Sequence, residues 1–191
     1  AGATPAIDGV IGALEWAGSM FAGTDPNEGF QGDAWDIEAF KVFKETSGGG
    51  LGNGLYFLFD TYAPPTFAGE PPFVSDESKF VIFLDFDGDS VVDQIIMFND
   101  LNVGEVNTAG GVGILGPDGV EIFVPDADLT GTLTASSQVA AVLDNGGLLA
   151  EDAIPDVGFL QPIPEPGSAL LFGLGLMGAA LRRRLRSTDW S

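Results

Sequence analysis

Along residues 1–160 no stretch holds a helical period; short runs of Phe, Val, Ile, Leu and Tyr recur instead, each closed off by Gly, Pro, Asn or Asp. A chain punctuated so often cannot build long helices, whereas strands of four to eight residues fit between such breaks. Glu38 to Lys44 (EAFKVFK) alternates from one side to the other, and Gly54 to Asp60 (GLYFLFD) is a near-continuous apolar run. Lys79 to Asp85 (KFVIFLD) and Asp93 to Phe98 (DQIIMF) flank an acidic loop, Gly119 to Val124 (GVEIFV) follows the turn Gly116-Pro117-Asp118-Gly119, and Ser137 to Leu143 precedes Asn145-Gly146-Gly147. The glycine-rich Gly48 to Gly54 is read as a hairpin loop, because a strand and no helix follows it, which argues against a phosphate cradle. With roughly seven to nine short strands and no internal repeat, the expected fold is all-β, an antiparallel sandwich of jelly-roll or immunoglobulin-like type. Three segments are expected: the sandwich over 1–160, a Pro-rich linker over 161–168, and a short hydrophobic helix with a basic end over 169–191.

Charge narrows the partners. The chain carries 28 acidic against seven basic residues, yet 45% of it is hydrophobic, too apolar for a disordered acidic tail. Before Glu165 only Lys41, Lys44 and Lys79 offset 26 carboxylates. Such a field repels phosphate backbones and attracts divalent cations, so nucleic acid is excluded as a partner. The absence of His and Cys removes thiol nucleophiles, imidazole bases, disulfides and the usual zinc and haem ligand sets. The opening Ala1-Gly2-Ala3-Thr4-Pro5 is what removal of a secretory leader would leave, which points to an exported protein.

The tail joins three unlike parts: Pro162-Ile163-Pro164-Glu165-Pro166, the apolar run Ala169 to Leu181, and Arg182-Arg183-Arg184-Leu185-Arg186. The prolines keep their segment extended. The apolar run is shorter than the ~20 residues that usually span a bilayer, but flanking residues and snorkelling arginines lengthen its reach. By the positive-inside tendency, the arginines stay cytoplasmic and everything before them lies outside. This order resembles the PEP-CTERM sorting signal, with its Pro-Glu-Pro box at Pro164, Glu165 and Pro166, its short membrane helix, and its basic end at Arg182, Arg183 and Arg184. The resemblance implies transient insertion into the inner membrane, processing by an exosortase, and delivery to the cell surface or the extracellular matrix. Five residues, Ser187 to Ser191, extend past the arginines where such tails usually stop.

Phrases in the body are similar to those of DOMON-like and family-nine carbohydrate-binding-module sandwiches. They are Ile7-Asp8-Gly9 followed by Glu15-Trp16, then Asp36 to Phe40, Leu55-Tyr56-Phe57, and Val120 to Pro125. Members of that group bind carbohydrate, haem or calcium, or are purely structural. Trp16, Trp35 and Tyr56 are accordingly candidate platforms for stacking on sugar rings, with Trp35 the most exposed in expectation.

Asp85, Asp87, Asp89 and Asp93 occupy positions 1, 3, 5 and 9 of a loop between two apolar strands. Alternate side chains of a tight loop can converge, and a hard cation taking six to eight oxygens suits them, so calcium is the expected ligand. Ser90 at position 6 and Ile96 at position 12 exclude an EF-hand; the pattern looks more like the Asp-rich loops of thrombospondin type-3 repeats. Asp25, Asn27, Glu28, Asp33 and Asp36 are read as a solvated loop with a weaker claim to a second site. Asp126 and Asp128 are read as turn residues, and Asp144, Glu151, Asp152 and Asp156 as surface charge. No carboxylate pair stands out for glycoside hydrolysis, so no enzyme is expected. The expected role is a calcium-stabilised structural protein of the surface or matrix, able to self-associate, with polysaccharide tethering as the alternative.

Overall fold

The computed structural model describes residues 4–12, 14–26, 36–62, 78–99, 105–117, 119–145, 152–155 and 158–163. Among the described residues ten strands run in chain order: β1 Phe21–Thr24, β2 Ile37–Glu45, β3 Gly54–Thr61, β4 Ser78–Asp85, β5 Gln94–Asn99, β6 Glu105–Val106, β7 Val112–Leu115, β8 Gly119–Pro125, β9 Gln138–Asn145 and β10 Asp152–Ile154. They form two five-stranded sheets, ordered β1-β2-β3-β8-β7 and β10-β9-β4-β5-β6. Every neighbouring pair is antiparallel.

The period-2 pattern decides which faces meet. Phe40 and Val42 of β2, Leu55, Phe57 and Phe59 of β3, and Val120, Ile122 and Val124 of β8 point inward from the first sheet. Phe80, Ile82 and Leu84 of β4, Ile96 and Phe98 of β5, and Val139, Ala141 and Leu143 of β9 answer them from the second, in one continuous core. Phe59 sits at the join, its ring 5.0 Å from Phe40 and 4.9 Å from Phe80 on the opposite sheet. The all-β sandwich expected from the punctuation is the fold observed.

β3 is buried on both faces, which explains its lack of polar alternation. Its outward Tyr56 and Leu58 pack with Phe43, Phe123 and Trp16, and Ile7 and Ile11 lie against this second cluster. Trp16 and Tyr56 were expected as sugar platforms; at 4% and 0% exposure neither ring offers a face to a ligand, because the N-terminal segment folds over Tyr56 and turns its own Trp16 against the sheet. Trp35 lies outside the described residues.

The edge between β1 and β10 corrects a second expectation. Asp25 and Asp36, read as solvated loop, are buried. Asp152, read as surface charge, is half-buried on β10, and its carboxylate accepts a hydrogen bond from the Ile37 backbone N–H of the opposite sheet. Burial, aided by the Asp36 charge, pushes the Asp152 carboxyl up, against the lowering pull of the Ile37 N–H and Asp25. Beyond it Leu160 pairs with Val139, and the Ile163 N–H donates to the Met20 carbonyl at 2.7 Å, so the bonded body reaches past residue 160. No helix among the described residues is long and apolar enough to cross a membrane. The expected C-terminal helix over 169–191 lies outside them.

Candidate metal centre

The loop joining β4 to β5 starts at the last residue of β4, and the antiparallel register Leu84↔Gln94 brings its two ends together. The Asp93 N–H donates to the Leu84 carbonyl at 2.8 Å, and the Asp93 carboxylate accepts from the Phe86 N–H at 2.7 Å. Asp93 is therefore the clasp at the base of the loop. Asp85 is fully buried and shapes its interior: one carboxylate oxygen accepts from the Gly88 N–H at 2.6 Å, the other from the Ser90 N–H at 2.7 Å. Asp87 and Asp89 make the short local turns typical of aspartate, accepting from the N–H groups of Asp89 and Val91 at 3.1 and 2.8 Å.

These bonds turn carboxylate oxygens of Asp85, Asp87 and Asp89 toward one another, all within 4.8 Å. Asp93, expected as a fourth ligand, does not join that group, since its role at the base holds it aside. Asp87 and Asp89 are exposed and Asp85 is buried, so the cluster opens to solvent on one side over a fixed floor. The Asp89 N–H draws the Asp87 carboxyl down, but desolvation and the charges of Asp89, Asp93 and Asp85 together outweigh it, leaving Asp87 above the usual carboxylate range. A group shifted that way favours the fold most at low pH and loses that contribution as pH rises through its folded-state value. A divalent cation relieves the same repulsion at neutral pH. Each carboxylate oxygen has two lone pairs, so the internal hydrogen bonds leave acceptor capacity for a hard cation.

A brace that the sequence reading missed holds the loop from the side. The segment before β9, Thr134-Ala135-Ser136-Ser137, folds on itself with the Thr134 N–H donating to Ser137 Oγ at 2.8 Å. Ser137 Oγ then donates to the Phe86 carbonyl at 2.7 Å, and Gln138 Nε2 to the Gly88 carbonyl at 3.3 Å. The Thr-x-Ser-Ser string was the available signal for a side-chain turn, but nothing in it names a partner some 50 residues away.

Residues 162–184 match the family described as the PEP-CTERM protein-sorting motif. The chain therefore carries the sorting signal of an exported protein handled by an exosortase. No curated protein and no solved structure matches the chain, so the likeness of the body to DOMON-like sandwiches stands on its phrases alone. The box residues Pro164, Glu165 and Pro166 and the arginines Arg182, Arg183 and Arg184 lie within the matched span and outside the described residues.

Proposed function

We propose that the body is a non-enzymatic, calcium-stabilised module of the cell surface or extracellular matrix, which the PEP-CTERM signal delivers there. The observation that carries this reading is the convergence of Asp85, Asp87 and Asp89 on a loop clasped by Asp93 and braced by Ser137. Oxygen donors alone, one open side and a pre-shaped floor suit calcium, whose larger and more flexible shell tolerates such a site better than the strict octahedron of magnesium. The body's excess of carboxylates supports the same reading, since it repels itself until divalent cations arrive. The lack of His and Cys in a chain so rich in carboxylates supports a binding role over a catalytic one.

Thermal unfolding in calcium, in magnesium and in chelator tests it. At calcium a hundredfold above Kd, the melting temperature should rise by roughly 5–10 °C, from about 2.7 kcal/mol of binding free energy. The double substitution Asp87→Asn, Asp89→Asn keeps both oxygens that accept the local N–H groups but removes two charges, and should abolish most of the rise. An equal rise in that variant, or none in the wild type, would reduce the loop to a solvated turn.

A further inference from the structure

The outer face of the first sheet holds a feature that neither the sorting motif nor the acidic loop uses. The N-terminal segment, residues 4–12 and 14–19 of those described, crosses that face as a strap, with Ile7, Ile11 and Trp16 against Phe43, Tyr56, Leu58 and Phe123. It is tied down at two carboxylates. Thr4 Oγ1 donates to Glu45, and the N–H groups of Asp8 and Gly9 donate to Glu121 Oε2 at 3.0 and 2.7 Å. The backbones touch there: a Cβ on Gly116 would lie 2.0 Å from the Gly9 carbonyl oxygen.

The interface between strap and sheet is unevenly satisfied. Glu121 is 1% exposed, its Oε1 is buried without a hydrogen-bond partner, and the buried Trp16 Nε1 also has none. Buried polar groups left without partners weaken an interface, whereas the main cluster between the sheets packs Phe, Ile, Leu and Val side chains against one another. The charges that face Glu121 make it worse. Asp8 and Glu15 come from the strap itself. On the sheet, Glu121 has Leu58 and Ile114 as its cross-strand neighbours, with Asp60 of β3 on the same face and Lys41 of β2 one strand farther away.

We propose that residues 4–12 and 14–19 act as a proton-operated strap, closed over the aromatic face when Glu121 carries a proton and released more readily, uncovering Phe43, Tyr56, Leu58 and Phe123, once that proton is lost. Burial, with the charges of Glu15 and Asp8, pushes the Glu121 carboxyl up, and the N–H groups of Gly9 and Asp8 only partly oppose it. In the open strap the carboxyl regains water and its ordinary value of 4.5. Closure is therefore strongest below that value and weakens as pH rises through the closed-state value. The other tie does not titrate in this range. The Ser47 and Thr4 hydroxyls and the Ser47 N–H hold Glu45 down to about 2, so it stays ionised from pH 5 upward. The proposal is independent of the calcium reading, because none of its residues belongs to the acidic loop.

Hydrogen exchange of the full chain at pH 5 and pH 8, corrected for intrinsic rates, tests it. Peptides covering residues 4–19 should lose protection between pH 5 and pH 8, because the closing equilibrium weakens as Glu121 gives up its proton. Peptides from β3 and β8 should not change. In Glu121→Gln the amide oxygen still accepts from Asp8 and Gly9, and the pH dependence of the strap should vanish. Equal strap protection at both pH values, joint loss across strap and core, or an unchanged pH dependence in the variant would each overturn the proposal. Should the variant not fold, the wild-type comparison decides alone.

Discussion

Phe59→Ala will lower the unfolding free energy by about 3–5 kcal/mol, the range for deleting a fully buried aromatic ring from a core that cannot collapse around the gap. Phe59 is 0% exposed at the middle of β3, the central strand of its sheet. Its ring makes a direct contact between the sheets, 4.9 Å from Phe80, and also packs 5.0 Å from Phe40 of the neighbouring strand. Strands paired on both sides, with Phe40 and Val120 opposite it, fix the backbone around the cavity, so relaxation will recover little of the loss. Leu14→Ala is the matched control. Leu14 is 80% exposed, and its truncation should change stability by no more than about 0.5 kcal/mol. Chemical denaturation of both variants measures the difference, and a cost below about 1 kcal/mol for Phe59→Ala would mean that the two sheets do not close on that ring.

Six of the ten strands were legible in the sequence, and the four that were not are the edges of the two sheets. β1 and β7 end the first sheet, β10 and β6 the second. Their sequences, FAGT, VGIL, DAI and EV, are short, and the first two each include a glycine, because an edge strand is bonded on one side only and has less apolar surface to bury. The central strands must satisfy neighbours on both sides and so carry long β-branched and aromatic runs. The placement of Tyr56 was legible in principle: an unbroken apolar run from Leu55 to Phe59 is the mark of a strand covered on both faces, and it left no wet side for a sugar platform. The strap that covers it could not be read, since nothing in Ile7-Asp8-Gly9 names Glu121 as its partner. At the acidic loop the alternation of aspartates gave the convergence of Asp85, Asp87 and Asp89. The division of labour did not follow from spacing, because the clasp by Asp93 and the brace by Ser137 depend on register and on a distant strand.

Gly88→Ala will cost about 2–5 kcal/mol, while Gly48→Ala, at the same backbone angle, will cost about 1–2 kcal/mol. The two glycines share φ of +80° and +79°, so an added Cβ brings the same left-handed strain to each. Their surroundings differ. At Gly48 the nearest atom to a new Cβ is Asn53 Oδ1 at 4.0 Å; at Gly88 it is the Ser136 carbonyl oxygen at 2.1 Å. A backbone oxygen cannot swing aside as a side-chain tip would, so the loop must lift from the Thr134 to Ser137 segment. Lifting breaks the bonds from Ser137 Oγ to the Phe86 carbonyl and from Gln138 Nε2 to that of Gly88, and removes the floor against which Asp85 orients its carboxylate. Gly88→Ala should therefore also lose most of the calcium response proposed for this loop, whereas Gly48→Ala should keep all of it. Equal costs and equal calcium responses would show that the loop does not lean on Ser136, and that its carboxylates converge through their own short turns without the brace.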